Sequence, residues 1–347
     1  MKMIAPICML VTVCLAGCFE SDKIAVKGVS SAGSINACAE MVKYLQDQNL
    51  PALERVDVWE GEYGKGLKLT TAHYEIFTTL LEPLMLRRIP LFMESAYRGY
   101  NGELPEPIET TSKFIIYLFA DREQWTAFTK SFAGDQADLF CSIKAGAYYL
   151  NGACVVYNIG RKRTFSALGH EGWHQFNSRL FKFRLPSWLD EGVAMLFESP
   201  RTEEGVFYFE PAEDNYRLDA LKKTLRKNEM IPLKELVAIN PGEVLATNES
   251  EQVLTFYSQS YALVRFLRED GLRKHLNNYR QLLLDGLKGG WPLDEVSKKI
   301  AEDRNRPRTV LWNRIVGQLL FQQYIGDDFD QLEQEYQAFC RQIVNQN

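Results

Sequence analysis

The 347-residue chain is predicted to be an α+β protein, in which a mixed β-sheet with helices is followed by a mainly helical C-terminal lobe. Strand-like apolar runs lie before residue 160, whereas helical periodicity dominates after about residue 200. Two of the strand-like runs are joined by Asn151-Gly152, the strongest short hairpin signal, and a helical run follows them directly. This order predicts a sheet whose last hairpin leads into a helix.

Composition and charge are those of a folded, mildly acidic protein. The chain is 46% hydrophobic and 24% charged, values typical of globular domains rather than of disordered chains. Its formal net charge is -5, and the lysines and arginines form no long block. Neither a nucleic-acid partner nor a polybasic membrane-binding patch is therefore predicted.

The N-terminal stretch MKMIAPICMLVTVCLAGC has the layout of an export signal. A basic start at Lys2 precedes an apolar run from Met3 to Leu15, which is too short to cross a bilayer as a permanent helix. Residues 1–17 are therefore predicted to be a signal peptide. The letters LAGC resemble the bacterial lipobox, which implies cleavage before Cys18 and a lipid on its thiol; a plain secretory signal cut nearby is the alternative.

With a lipid on Cys18, the protein would be anchored to a membrane in the bacterial cell envelope. Because Phe19 rather than aspartate follows the cysteine, the outer membrane, facing the periplasm, is the expected location in a Gram-negative cell. Residues 18–35 are mostly small and polar and are predicted to be a tether between the lipid and the folded part.

Export makes disulfide bonds possible among the remaining cysteines. With the signal peptide removed and Cys18 assigned to the lipid, four cysteines remain, an even number, and no CxxC pair indicates a cysteine zinc site. These are Cys38, Cys141, Cys154 and Cys340. Cys141 and Cys154 flank the predicted hairpin and are the favoured pair, which leaves Cys38 with Cys340; buried free thiols are the alternative.

Helices and strands alternate between residue 36 and the hairpin. The stretch CAEMVKYLQDQ predicts a helix, LKLTTAHYEIFTT a strand, and LEPLMLRRIPLFMESAYRGY a helix with Pro83 in its first turn and a kink at Pro90. The apolar SKFIIYLFA predicts a buried strand, and Asp121 suits the cap of the following helix, DREQWTAFTKSF. The hairpin strands are AGAYYL and ACVVYNI.

The helix after the hairpin carries LGHEGWHQF, in which two of the chain's four histidines are four residues apart. The pattern predicts a helix from Thr164, as its cap, to Phe181. His170 and His174 then share one face, one turn apart, and can reach one metal ion. Glu171 is rotated by about 100° around the axis, which suits contact with a water at the metal rather than with the metal itself.

A catalytic zinc site needs a third protein ligand and one open position besides two histidines. Pro186 ends the first helix, and WLDEGVAMLFE predicts a second one. Glu191 in this second helix is seventeen residues after His174, which is enough for the chain to turn and present a carboxylate to the histidines. Asp190 is the rival ligand, and Gly192 would permit close helix packing.

The motif HExxH followed by W-x-x-E-G-x-A at this spacing resembles the gluzincins, the group that contains thermolysin and aminopeptidase N, and especially the bacterial peptidase-MA-like domains. The resemblance rests on these two short motifs and extends weakly from about residue 67 to residue 267. It implies a zincin-like catalytic domain over residues 36–200, with a mixed sheet and an active-site helix, before the helical lobe of residues 201–347. The metzincin class is excluded, because Asn177 and Leu180 stand where that class has glycine and histidine.

The resemblance also implies roles for individual residues. His170, His174 and Glu191 would bind one zinc ion (Zn2+), and Glu171 would be the general base. The strand before the active-site helix would be an edge strand, within AGAYYLNGACVVYNI, that pairs with extended substrate. Apart from the resemblance, each histidine needs an acceptor for its other ring nitrogen; Asp190 is a candidate for that role and remains the rival to Glu191 as a ligand.

A tyrosine at the start of a later helix would stabilise the oxyanion in such a domain. Tyr257, in FYSQSYALVRFL, stands at the matching place, and Tyr261, one turn further, is the second choice. Gln259 and Ser260 stand where aminopeptidases have lysine and glycine, so exopeptidase action is not implied.

The favoured function is an envelope-anchored, zinc-dependent peptidase that hydrolyses peptide bonds in a peptide or protein substrate, with Glu171 as the general base. One alternative is a catalytically weak peptidase-like lipoprotein that serves as a binding or scaffold protein. Another is a zinc hydrolase of a different envelope amide or ester. His73, expected to be half-buried, and His275, expected at a solvated helix position, are not part of the predicted site.

Overall fold

The computed structural model describes residues 35–143, 146–203, 206–209, 215–240, 243, 250–304 and 312–345. The predicted signal peptide, Cys18 and nearly all of the predicted tether lie outside the described residues. Within these ranges, none of the helices is both long enough and apolar enough to span a membrane. The described chain combines helices with a mixed sheet, in agreement with the expected α+β class.

A six-stranded sheet forms the centre of the N-terminal part. Its strands are Arg55–Gly61 (β1), Gly64–Thr70 (β2), Tyr74–Thr78 (β3), Phe114–Phe119 (β4), Ala147–Leu150 (β5) and Ala153–Tyr157 (β6). Their order across the sheet is β1-β2-β3-β4-β6-β5. Strands β3, β4 and β6 are parallel, β2 and β5 run antiparallel to their neighbours, and β5 forms an outer edge.

The hairpin between β5 and β6 is the one that the sequence predicts. Asn151 and Gly152 have φ angles of 48° and 83°, the left-handed conformation that a two-residue hairpin turn requires at both central positions. Tyr149 pairs with Cys154 across the two strands. The helix with the two histidines follows three residues after β6.

The single strand predicted from Leu67 is two strands in the structure. β2 and β3 pair antiparallel, and the turn between them is held by the buried carboxylate of Glu94. Glu94 Oε1 accepts hydrogen bonds from Thr71 Oγ1 at 2.6 Å and from the backbone N–H of His73 at 2.9 Å. Because Glu94 belongs to a later helix, the strand-like pattern itself contains no sign of this turn.

Helices surround the sheet and form most of the chain after residue 160. Their bounds are Ile35–Gln46 (α1), Pro83–Gly102 (α2), Arg122–Phe132 (α3), Ala137–Cys141 (α4), Arg161–Leu180 (α5), Ser187–Ala194 (α6), Tyr216–Lys227 (α7), Leu233–Leu236 (α8), Ser250–Arg273 (α9), Leu276–Lys288 (α10), Glu295–Glu302 (α11), Gln318–Tyr324 (α12) and Phe329–Asn345 (α13). Two short strands, Arg201–Glu203 (β7) and Val206–Tyr208 (β8), form a separate hairpin.

One of the two predicted helix caps is confirmed and the other is wrong. Asp121 caps α3 as predicted, since its carboxylate accepts a hydrogen bond from the backbone N–H of Gln124. Thr164, predicted to cap the histidine-bearing helix, lies inside it, and its hydroxyl accepts from the backbone N–H of Ile159 at 3.1 Å. The helix begins earlier because Gly160, with a φ of 92°, turns the chain into it.

The two faces of the sheet have different cores. Phe119, Trp125 and Tyr148 belong to a smaller apolar cluster on the face covered by α3 and α4. The opposite face carries α2 and α5 and is part of the main core, which continues through α6 and α9 to α13. Since Trp173 of α5 and Tyr336 of α13 share this core, the sheet and the C-terminal helices are stabilised by the same buried surface.

The predicted disulfides do not match the structure, in which all four described cysteines are free. Cys154 lies in β6 on the face of the main core, whereas Cys141 lies at the end of α4 and its thiol approaches Thr126 of α3, on the opposite face. Cys38 is on α1 and Cys340 is on α13. Flanking a hairpin in sequence therefore does not bring the favoured pair to the same side of the sheet.

Gly152→Val is expected to lower the free energy of unfolding by about 1–2 kcal/mol, because a branched side chain is strained in the left-handed region. Asn151→Gly is the matched control, since it relieves rather than adds strain at the neighbouring position. Urea denaturation measures both variants, and equal stability of the two would contradict the turn geometry.

Candidate metal centre

Two helices bring three predicted metal ligands together. His170 and His174 lie one turn apart on α5, and Glu191 lies on α6. The two Nε2 atoms are 3.1 Å apart, and Glu191 Oε2 lies 3.4 Å from Nε2 of His170 and 3.6 Å from Nε2 of His174. All three side chains are almost entirely buried. Among the described residues, they form one of the groups whose donor atoms lie close enough together to hold a metal ion.

The distances between these donor atoms fit a tetrahedral metal ion. Bonds of about 2.0–2.1 Å to zinc place two tetrahedral ligands about 3.3–3.4 Å apart. The three observed separations, 3.1, 3.4 and 3.6 Å, bracket this value. The donor set of two imidazoles and one carboxylate is one that catalytic zinc sites use, and it leaves a fourth position open.

The surroundings of Glu191 also fit a metal ligand, because its carboxylate accepts no hydrogen bond. Both of its carboxylate oxygens are buried without a hydrogen-bond partner. Burial by itself would raise the pKa of Glu191, but the adjoining His174 and His170 hold it at about 2, so the carboxylate is ionised. A buried anion without donors requires a nearby cation, which a metal ion or a protonated histidine supplies.

A second carboxylate stands behind each histidine. His170 Nδ1 donates to Glu198 Oε1 at 2.8 Å, and His174 Nδ1 donates to Asp190 Oδ1 at 3.0 Å. Because an ionised carboxylate accepts and does not donate, these contacts place a proton on each Nδ1, so that the neutral imidazoles that a metal ion would bind direct their Nε2 lone pairs inward. Asp190 therefore lies behind His174, and the convergent group contains Glu191 rather than Asp190.

Glu198 and Arg217 are the site residues that sequence reasoning missed. Glu198 lies in the turn after α6, and Arg217 lies on α7. Arg217 donates to both oxygens of Glu198, at 2.9 and 2.8 Å. Burial raises the pKa of Glu198, but Arg217 and His170 outweigh this effect and hold it at about 2.

Glu171 is the residue that the sequence predicts to be the general base. It is fully buried on α5 next to His170, but it is not in the convergent ligand group. Its charge acts on Cys154 of β6, whose pKa is raised first by burial and further by Glu171.

Two glycines explain how the site helices approach their neighbours. A Cβ atom on Gly172 would lie 2.3 Å from the hydroxyl of Tyr100, which donates to the backbone carbonyl of Gly169 at 2.7 Å. A Cβ atom on Gly192 would lie 2.6 Å from the backbone oxygen of Ser260 on α9. Close packing at Gly192 is as predicted, and it brings α9 directly against the helix that carries Glu191.

The two candidate oxyanion donors both lie on α9 and are almost fully buried. The Tyr257 ring lies under the guanidinium of Arg217, with a distance of 5.3 Å from the guanidinium carbon to the ring centroid. The ring of Tyr261 instead faces Arg265, at 5.7 Å. Tyr257 is therefore the one connected to the histidines, through Arg217 and Glu198.

The other two histidines remain outside this centre. His73 is half-buried as predicted, and its Nδ1 lies 2.7 Å from Glu94. His275 is buried rather than solvated, because its ring packs against Phe266. His275 also converges with Asp270 and Glu335, but Lys274 Nζ donates to Glu335 at 2.8 Å, so a cation of the chain already occupies that carboxylate.

Comparison with family models and with curated proteins finds no match to this chain. The function is therefore inferred from the residues of the site and their geometry.

Gly172→Ala is expected to lower the free energy of unfolding by about 1–3 kcal/mol, because overpacking against Tyr100 exceeds the gain of about 1 kcal/mol in helix propensity. Gly102→Ala, where a Cβ atom meets nothing within 4 Å, is the control and should change stability by less than about 0.5 kcal/mol. Thermal and urea denaturation test both, and an unchanged Gly172→Ala protein would contradict the contact.

Binding of a divalent metal ion such as zinc at this site is expected to release protons at about pH 7.5. In the metal-free protein, burial lowers the pKa of His170, but Glu191 and Glu198 raise it to about 9, so the imidazole is protonated at neutral pH. Zinc binds only the neutral imidazole, so the release should decline as the pH rises through about 9. Titration calorimetry in buffers of different ionisation enthalpy measures this release, and a binding heat independent of the buffer would contradict it.

Proposed function

We propose that the chain is a zinc-dependent peptidase of the gluzincin type, attached to the bacterial cell envelope through a lipid on Cys18. The observation that carries the proposal is the convergence of His170, His174 and Glu191 at 3.1–3.6 Å, with Glu171 directly after His170 on α5. The mixed sheet, whose last hairpin leads into this helix, supports a zincin-like fold for the region.

In the proposed reaction, the side chains of the site have separate tasks. Zinc, when bound by His170, His174 and Glu191, supplies Lewis acidity that polarises a carbonyl and makes water more acidic. Glu171 accepts the proton of the attacking water and passes it to the leaving amine. The hydroxyl of Tyr257 donates a hydrogen bond to the oxyanion, as a neutral phenol can at neutral pH.

An extended substrate would bind along β5. This strand is at the edge of the sheet, so its outer backbone groups are not used by the sheet itself. The hydroxyl of Tyr149 on β5 donates to Ser178 of α5 at 3.1 Å, which keeps the edge beside the helix that carries Glu171. Backbone pairing of this kind favours a peptide, since alternate side chains of the substrate then face the site.

The depth of the site favours one alternative, a peptidase-like lipoprotein that binds zinc or a partner with little turnover. His170, Glu171 and Glu191 are completely buried, and His174 is 5% exposed. A zinc ion needs only a narrow path into such a buried site, whereas a peptide needs a much wider opening. A zinc hydrolase of another envelope amide or ester would share the same metal site.

Glu171→Gln is expected to reduce peptide cleavage by about 10²–10⁴-fold with zinc content unchanged, because it removes the base but none of the ligands. The assay uses the mature chain, one measurement of bound zinc per chain, a peptide library and cell-wall fragments. His174→Ala, which removes a ligand, is the control and should lose both zinc and cleavage.

The outcomes separate the candidate functions. Cleavage of peptides that disappears in Glu171→Gln supports the peptidase. Bound zinc with no cleavage of any substrate supports the binding protein, and cleavage confined to cell-wall fragments supports the other hydrolase. A wild-type chain that binds no zinc and cleaves nothing would reject the zinc enzyme.

A further inference from the structure

Arg217 is a buried charge that the proposed reaction does not use. It lies on α7, more than forty residues after the histidines, and is only 2% exposed. Its Nε donates to Glu198 Oε2 at 2.9 Å, and one terminal nitrogen donates to Glu198 Oε1 at 2.8 Å. This two-pronged contact holds the carboxylate in one orientation, which a single-point contact would not do.

The flat face of the same guanidinium contacts two aromatic rings. Its carbon lies 4.5 Å from the ring centroid of Tyr216 and 5.3 Å from that of Tyr257. Tyr216 also donates through its hydroxyl to Glu198 Oε2 at 2.5 Å. Arg217 therefore uses its edge for a carboxylate and its face for aromatic rings, a combination that lysine cannot reproduce.

Both ends of this network lead to residues of the proposed site. Glu198 Oε1 accepts the hydrogen bond from His170 Nδ1, so the orientation of the carboxylate sets the direction of the imidazole. Tyr257, at the other end, is the proposed oxyanion donor. The four residues form a continuous chain of contacts from α9 through α7 and the end of α6 to α5.

We propose that Arg217 is a positioning residue that aligns His170 and Tyr257 together, so that the C-terminal lobe completes the metal site formed by α5 and α6. It holds Glu198 behind His170 and the phenol ring of Tyr257 at the same time. This inference rests on the proposed zinc function, because it assigns Arg217 a role towards a metal bound at His170.

Arg217→Lys keeps the positive charge but removes the planar guanidinium, and with it the two-pronged contact to Glu198 and the contact with the aromatic rings. It is expected to weaken zinc binding by about 10–100-fold, the range typical of residues behind metal ligands. With Co2+ in place of zinc, the visible absorption spectrum is expected to change, because the imidazole direction changes. In the cleavage assay, kcat should fall with little change in KM.

Arg265→Lys is the matched control. Arg265 is also a buried arginine, it stacks on Tyr261 of the same helix α9, and it forms a two-pronged pair with Glu269 at 2.9–3.2 Å. It does not belong to the chain of contacts that leads to His170. Its replacement should therefore leave zinc affinity and the cobalt spectrum unchanged, even if it lowers the stability of the protein as much as Arg217→Lys does.

The experiment uses the full mature chain, with zinc affinity measured by chelator competition and folding checked by circular dichroism. If Arg217→Lys does not fold, Arg217→Gln, which is shorter and uncharged but can still donate to Glu198, replaces it. A folded variant with wild-type zinc affinity and an unchanged cobalt spectrum would overturn the inference while leaving the zinc function intact. A wild-type chain that binds no zinc would overturn both.

A double-mutant cycle separates positioning from a general loss of stability. Arg217→Lys and Glu198→Gln act on the same hydrogen-bonded pair, so their effects on zinc affinity should be far from additive. Arg265→Lys and Glu198→Gln should be additive. Full additivity in the first cycle would contradict the role of Arg217 through Glu198.

Discussion

Several charged groups are buried together in the candidate metal centre, and they are stable there only if they neutralise one another. Glu191 and the inward nitrogens of His170 and His174 face one another, and Asp190 and Glu198 face the outward nitrogens. Each of these groups would be strongly destabilising if it were buried alone. They are compatible only because every imidazole lies between two carboxylates, and because the inner cluster provides a position where a cation can bind.

Such a cluster requires helices that approach each other very closely. Gly172 admits the hydroxyl of Tyr100 from α2, and Gly192 admits the backbone of Ser260 from α9. Both contacts lie beside a residue of the metal centre. The site is thus placed where the sheet, with its covering helices, meets the C-terminal lobe, and the apolar core that stabilises one also stabilises the other.

Burial of the site affects both its stability and the chemistry that it can support. Buried ligands and a dry surrounding strengthen every electrostatic contact, which suits both tight metal binding and the activation of a carbonyl. A peptide, however, is much larger than a metal ion. The proposed turnover would therefore require the buried site to open wider than the entry of a metal ion does.

Features that depend on local spacing could be predicted from the amino-acid sequence. The two histidines share a helix face at i and i+4, Glu191 returns on the next helix, and Asn151-Gly152 makes the hairpin before them. Glu198 and Arg217 were not visible in this way, because most glutamates and arginines are exposed and nothing in their local sequence indicates burial. Their pairing behind a histidine follows from tertiary packing, because it depends on how α7 packs against the end of α6. Periodicity and turn chemistry act over a few residues, whereas the burial of a charge depends on neighbours that are distant in sequence.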